Sequence, residues 1–314
     1  MKNFTFDFYN SANLKAYNLN NTMRYQLSIL DQMDHITKTH SENVANLVCR
    51  ICEYLGFDLE VTIHSTMNAY LHDVGKLAIP PEILNKPAKL TDEEYEIMKT
   101  HTIKGYEICM KDLKLRPYCI AALYHHEALN GTGYPYGKTK KDIPYIAQIV
   151  RVADEYDAIT SKRQYKTHID ISKTLQILIK ETKPEEHIKL VALDQLTRNK
   201  KLGKINPRIL KVLFKVVIDD IIYEIASIND YIKYLKTEIK RLEIVNKYFK
   251  RMQKAKKEKD KNYFLEGINL MLVQNETVDN FQNVLQEYIE ALKTKESSIS
   301  KLRTEIKIIK KLKI

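Results

Sequence analysis

Apolar residues return at helical spacing along most of this chain. Leu27, Leu30, Met33, Val44, Leu47, Val48, Ile51 and Leu55 predict helix across residues 22–55, closed by Gly56. Residues 60–74 predict a second, more buried helix that ends in Ala69-Tyr70-Leu71-His72-Asp73-Val74-Gly75. Pro80-Pro81 can open a short helix over Glu82, Ile83 and Leu84. Thr91 with Glu94 three positions on reads as a capping box for a helix to about Thr100. Further helices are expected near 102–112, 116–127, 144–160 and through 170–223, with a polar interruption around 197–207. Asn130-Gly131-Thr132-Gly133-Tyr134-Pro135 has the composition of a loop. No segment carries the two-residue alternation of a strand, so the expected class is all-α.

The last third differs in pattern. Ile225, Ile232, Ile239 and Asn246 occupy one heptad position, and Ile228, Leu235, Leu242 and Phe249 the other. A second run follows at Leu285, Tyr288, Leu292, Ile299, Leu302, Ile306 and Ile309, interrupted by Lys295. Two such runs can pair between chains as a coiled coil or fold back on each other as an antiparallel hairpin. Helix breakers stop early: all eight prolines lie at or before Pro207, and Gly267 is the one glycine after Gly203. All nine histidines lie at or before His187, so the chemistry belongs to the first two thirds.

Composition narrows the classes. The chain has 314 residues, 44% of them hydrophobic, with material for a core and no bias toward disorder. No run approaches the ~18 apolar residues of a membrane span. The N-terminus lacks a basic-then-apolar leader, and four cysteines do not make a disulfide scaffold, so a cytoplasmic setting is expected. Net charge is +11, most of it in residues 231–314. A lysine-rich solvated helix face accounts for that excess, and nucleic-acid binding is not expected.

His40, His72-Asp73, His101, His125-His126 and Asp154 each lie on or at the end of an expected apolar helix. Buried imidazoles and carboxylates are costly without partners, and hydrogen bonds alone hardly satisfy so many. A pair of divalent metals satisfies them together, and the absence of cysteine ligands favours iron, manganese, zinc or nickel over a closed structural zinc site. If His72 and Asp73 sit on helix, they point ~100° apart, so one can ligate one ion while the carboxylate bridges to the next. Lys76, four positions after His72, would share its face and stabilise a bound phosphate. Cys49 and Cys52 sit inside an amphipathic helix without a second pair and read as small core residues. Glu127 reads as a partner behind the metal ligands rather than a general acid. Asp157 can orient a ligand histidine or cap a helix.

These motifs taken together are informative. His72-Asp73-Val74-Gly75-Lys76, His101, His125-His126-Glu127-Ala128-Leu129-Asn130-Gly131-Thr132-Gly133-Tyr134-Pro135 and Val152-Ala153-Asp154-Glu155-Tyr156-Asp157-Ala158-Ile159-Thr160-Ser161 resemble the HD-GYP family. Those proteins are metal-dependent phosphodiesterases of the HD superfamily that act on cyclic di-GMP. The resemblance covers about residues 35–170. It implies that His40, His72, Asp73 and Asp154 hold one metal, most often iron or manganese. Asp73 would bridge to a second ion held by His101, His125 and His126. It further implies that Lys76 contacts the scissile phosphate, that Tyr134 packs near a guanine with Pro135 shaping its loop, and that Arg163 and Lys166 contact the dinucleotide phosphates. Attack of a metal-bridging hydroxide would yield pGpG, GMP or both.

Four positions depart from the family pattern. Ile36 stands where some members carry a glutamate that helps hold a third metal, so two metals are expected. Asn130 replaces a frequent aspartate. Gln148 replaces a common arginine, and Gln164 interrupts the usual Arg-Pro-Tyr; both are expected near the substrate. The organisation implied is a short segment at 1–21, an HD-type helical bundle at 22–223, and a helical or coiled-coil extension at 224–314. That extension would mediate homodimerisation or contact with a partner protein. Two other activities fit the residues less closely. One is a phosphohydrolase of another cyclic nucleotide or nucleotide. The other is a non-catalytic cyclic di-GMP receptor that signals through the C-terminal helices.

Overall fold

Local capping decides where the first helices begin. The computed structural model describes residues 27–161, 171–184 and 202–314. Asp34 accepts a bond from the Thr37 amide (2.9 Å) and starts α1, His35–Tyr54. The run before it is not continuous helix as expected. Ser28–Gln32 forms a separate 3-10 turn, and Met33 is extended because the chain must enter the Asp34 cap from outside the helix. Gly56 closes the segment with a φ of +76°, a left-handed conformation suited to glycine. Asp58 caps α2, Leu59–Tyr70.

The expectation that α2 reaches residue 74 needs correction. It ends at Tyr70; His72 and Asp73 lie on the turn beyond it, and Val74–Ala78 is a 3-10 helix. The turn is set by close packing. A Cβ at Gly75 would lie 1.9 Å from the His101 carbonyl oxygen and 2.4 Å from the Gly105 amide, so this backbone sits directly against a later helix.

Next come α3, Pro81–Leu84, and α4, Asp92–Lys99, which starts with the complete Thr91–Glu94 capping box. Then follow α5, His101–Lys111, and α6, Ile120–Tyr124, which is preceded by a 3-10 turn at Arg116–Tyr118. The helix expected over 116–127 thus breaks before the His125-His126 pair. After the loop come α7, Tyr145–Ser161, and α8, Ile171–Glu181. The last three helices are α9, Pro207–Lys254, α10, Glu258–Met271, and α11, Phe281–Lys311. Asn130 and Thr139 form an isolated bridge, and the described residues contain no strand. The fold is all-α, and no described helix is long and apolar enough to cross a membrane.

The chain divides into two units, with the boundary between Val217 and Ile218 inside α9. In the first unit, α1 packs on α2 and α7, and α5 packs on α6 and on the 3-10 helix after Asp73. Val44, Val48 and Ile51 of α1 and Ile149, Val150 and Val152 of α7 are fully buried. Cys49 and Cys52 are buried free thiols in α1, as their pattern predicts. Arg50 donates to the Val216 carbonyl (2.9 Å), tying α1 to the start of α9.

In the second unit the heptad runs fold back on each other. Gln282 of α11 donates to Asn246 of α9 (3.3 Å), and Lys236 pairs with Glu296 (3.2 Å), so the two helices run antiparallel. Leu242, Val245, Ile268 and Phe281 form the buried core. Arg241 braces the turn after α10. It bonds both carboxylate oxygens of Glu276 (2.6 and 2.7 Å), Glu238 (2.7 Å) and the Met271 carbonyl (2.7 Å).

Gly75→Ala is expected to cost about 2–4 kcal/mol, because the new methyl meets backbone that cannot step aside; thermal unfolding measures it. Arg241→Met is expected to cost about 1–3 kcal/mol by stranding Glu276. The arginine bonds hold the Glu276 carboxyl below its ordinary range. That stabilisation is present above the usual carboxyl pKa and is lost as pH falls through the lowered value, so the difference from wild type shrinks in acid.

Candidate metal centre

Four of the seven expected ligands follow the end of a helix and one opens one, while His40 and Asp154 stand within helices. His40 is on the second turn of α1. His72 and Asp73 follow α2, His101 starts α5, and His125 and His126 follow α6. Asp154 and Asp157 lie one turn apart on α7. The structure brings all seven expected ligands together. Donor atoms of Asp73, His101, His125 and His126 form one group lying within 4.8 Å of one another. His40, His72 and Asp73 form another, and His72, His125 and Asp154 a third. Asp73 therefore belongs to two neighbouring groups.

Three imidazoles are oriented by backbone. His72 Nδ1 lies 2.7 Å from the Ala69 carbonyl, His101 Nδ1 2.6 Å from the Met98 carbonyl, and His125 Nδ1 2.7 Å from the Ala121 carbonyl. A carbonyl only accepts, so each Nδ1 carries the proton and each Nε2 presents a lone pair. Those lone pairs face Asp73: His72 Nε2 is 3.3 Å from its Oδ2, and His101 and His125 are 3.5 and 3.8 Å from its Oδ1. His101 Nε2 and His125 Nε2 are 3.3 Å apart. Two lone pairs at that distance repel unless a cation lies between them. His72 Nε2 and Asp73 Oδ1 are buried and have no hydrogen-bond partner. A buried set of unshared lone pairs on imidazole and carboxylate fits divalent metal ions.

His40 is held differently. Its Nδ1 is 2.7 Å from Asp157 Oδ2 and its Nε2 is 3.0 Å from Asp154 Oδ1. Burial opposes its charge, yet bonds to Asp154 and Asp157 raise its pKa to about 10. Burial and the neighbouring His72 and His101 push His125 down to about 3, and burial likewise lowers His101 and His126. Asp73 and Asp154 are held below the carboxyl range, because Lys76 and the surrounding histidines outweigh burial.

Lys76 is not on one helix face with His72, since the helix has ended. Its ammonium instead pairs with Asp73 Oδ2 at 2.5 Å. Tyr134 reaches back over the cluster: its ring stacks on His126 (centroids 4.6 Å, 27°) and meets Tyr95 edge-on (6.5 Å). Lys99 Nζ lies over both tyrosine rings, 5.5 Å from Tyr95 and 5.9 Å from Tyr134. Sequence reading missed Tyr95 and Lys99; their i,i+4 spacing on α4 is the one available signal.

Pro135 is in the same loop, whose first turn is made by Asn130 Oδ1 accepting from Thr132. Ile36 is 77% exposed, and its apolar side chain offers no donor to a metal. Gln148 is buried, donates to the Ile143 carbonyl (2.9 Å) and accepts from Asn206 (2.9 Å). Arg163, Gln164 and Lys166 lie outside the described residues.

An α-helical bundle that gathers histidines and aspartates around one shared carboxylate defines a class of metal-binding helical proteins. The family model for the HD domain matches residues 24–187, just over half of the chain. The chain belongs to the HD domain family, and its motif order is that of the HD-GYP members. It is 43% identical over 135 residues to "Cyclic di-GMP phosphodiesterase" of Thermotoga maritima, covering 42% of this chain and 37% of that protein. It is 39% identical over 139 residues to "Cyclic di-GMP phosphodiesterase response regulator RpfG" of Xanthomonas campestris pv. campestris, covering 44% and 37%. It is 30% identical over 151 residues to "3'3'-cGAMP-specific phosphodiesterase 1" of Vibrio cholerae, covering 48% and 35%. The chain thus spans a little over a third of the length of these curated relatives.

Asp157→Asn keeps the shape but weakens the acceptor that holds His40. Metal affinity is expected to fall by about 10- to 100-fold, read by calorimetric titration of the metal-free protein with Mn(II).

Proposed function

We propose that this chain is a metal-dependent phosphodiesterase that hydrolyses cyclic di-GMP to pGpG, GMP or both. The observation that carries the reading is the meeting of six imidazole and carboxylate side chains with Asp73 in overlapping groups, where the His72 Nε2 and Asp73 Oδ1 lone pairs meet no protein proton. His40, His72, Asp73 and Asp154 would hold one ion, and Asp73, His101, His125 and His126 the other. Iron or manganese suits such a donor set, with zinc or nickel also compatible. A bound pair of divalent ions supplies Lewis acidity, making water more acidic and neutralising charge on a phosphate oxygen.

The chain's own residues do the rest. Asp73 holds Lys76 at the rim of the cluster. Burial opposes the lysine charge, but Asp73 more than compensates and raises its pKa, so an ammonium faces any phosphate drawn to the site. That ammonium donates to a non-bridging oxygen as charge builds. Tyr134, braced by His126, offers an aromatic surface next to the cluster where a guanine can pack, and Pro135 shapes the turn behind it. Arg163 and Lys166 are carried into the proposal as contacts for the dinucleotide phosphates. The names of the matched relatives support a cyclic dinucleotide as the substrate class. The second unit would serve contact between copies or with a partner protein. Exposed Tyr231, Tyr234 and Leu270 on its helices support that role.

Protein loaded anaerobically with Fe(II) or Mn(II) is expected to bind two ions per chain and to convert cyclic di-GMP, followed by chromatography of products. Asp73→Ala should lose both ions and all measurable turnover, because one carboxylate serves both groups. Turnover that survives this substitution would sink the reading.

A further inference from the structure

Glu127 follows the two histidines of the cluster and is 1% exposed. A carboxylate beside metal-ligating imidazoles invites two roles, orienting a histidine or delivering a proton. The geometry supports neither. His125 spends its Nδ1 on the Ala121 carbonyl. Both oxygens of Glu127 are occupied by backbone further along the chain. The Tyr136 amide donates to Oε1 at 2.7 Å and the Lys138 amide to Oε2 at 2.7 Å.

Those amides belong to the far limb of the loop that carries Tyr134 and Pro135. The near limb is tied to the same stretch of chain, since the Tyr134 amide donates to the His126 carbonyl (3.1 Å). Gly133 lies so close to this segment that a Cβ would come within 2.4 Å of the His126 carbonyl oxygen and 2.3 Å of the Ala128 amide. The segment is anchored from behind as well: Arg151 Nη1 donates to the Glu127 carbonyl (3.1 Å) while its Nη2 pairs with Glu155 (2.6 Å). The loop is thus clamped on both sides of Tyr134, and one clamp is a buried carboxylate.

We infer that Glu127 is a positioning residue: its carboxylate fixes the 134–138 loop on the metal centre, so that Tyr134 stays stacked on His126 and presents the base-packing surface to substrate. This rests on the phosphodiesterase reading and adds to it the residue that sets substrate affinity without touching substrate. The chemistry of the clamp explains the residue type. Two N–H donors converge, and a carboxylate answers both with acceptors. Glutamine has one acceptor; its amide NH2 would face an N–H and open one limb. Replacement by Gln should therefore be nearly as harmful as replacement by Ala.

The test begins with hydrogen exchange on the metal-free wild type. The amides of Tyr136 and Lys138 should be protected relative to Gly137 between them, which has no acceptor among the described residues. Equal, fast exchange at all three overturns the clamp whatever the activity proves to be. In Glu127→Gln and Glu127→Ala that protection should vanish. With metal-loaded enzyme, KM for cyclic di-GMP should rise on the order of 10- to 100-fold, well beyond any change in kcat. The loss should be at least several-fold smaller on bis(p-nitrophenyl) phosphate, which is too small to need the loop. A fall confined to kcat with a displaced pH profile, on both substrates alike, would make Glu127 an acid at the reacting centre and overturn the inference. So would loss of bound metal, which would make it a support for His125 and His126. If the wild type hydrolyses no cyclic di-GMP, the proposed function fails, while the exchange result still decides the clamp.

Discussion

The structure is organised around one carboxylate. Asp73 lies where five histidines and a lysine converge, and it is the carboxylate shared by two candidate ligand groups. The rest follows from how protons are distributed around it. His72, His101 and His125 each give their Nδ1 proton to a carbonyl of the preceding helical turn, which leaves three Nε2 lone pairs aimed at an anion. Burial strengthens this arrangement by lowering the pKa of His101 and His125. His40 is the exception, since two aspartates of α7 hold its charge. An anion ringed by lone pairs is unstable alone and well suited to cations, so the same feature that strains the buried site prepares it for metal.

The fold serves that point by ending helices early. A histidine one or two residues past a helix terminus can turn its Nδ1 back to the last carbonyls, which have no intrahelical partners. His72 after α2 and His125 after α6 use this geometry. It answers two needs at once, satisfying a helix end and fixing a tautomer. The close approach at Gly75 then presses the Asp73 turn against the start of α5, bringing His101 into the same cluster. The loop beside the cluster is arranged in the same economical way, with Glu127 accepting from the Tyr136 and Lys138 amides of the loop whose Tyr134 stacks on His126.

Much of the site was legible because the chemistry demands rare side chains. His40, His72, Asp73, His101, His125, His126 and Asp154 stand out as inward-facing polar residues in apolar helices, and all seven converge. Helix boundaries were less legible. Periodicity carries α2 through Asp73 and α6 through Glu127, because Val74 and Ala128 continue the apolar pattern although the backbone has already turned. Gln148 stands where the family pattern places an arginine, and its bonds to the Ile143 carbonyl and Asn206 come from chain contacts that position beside a motif does not specify. Tyr95 and Lys99 escaped notice since nothing in α4 distinguishes them from surface residues until the loop of Tyr134 is folded beside them.

The sequence alone determined the helical class, the donor set and the two heptad runs, since these depend on residue type and spacing along the chain. Tertiary structure decided what depends on distance across it. It folded the heptad runs of the second unit back on each other, covering Leu242 and Val245 with Ile268 and Phe281. It fixed which nitrogen of His72, His101 and His125 is bare and made Asp73 the shared carboxylate. It also assigned Glu127 to two amides nine and eleven residues away, because hydrogen bonds require an approach near 3 Å that no spacing pattern can specify.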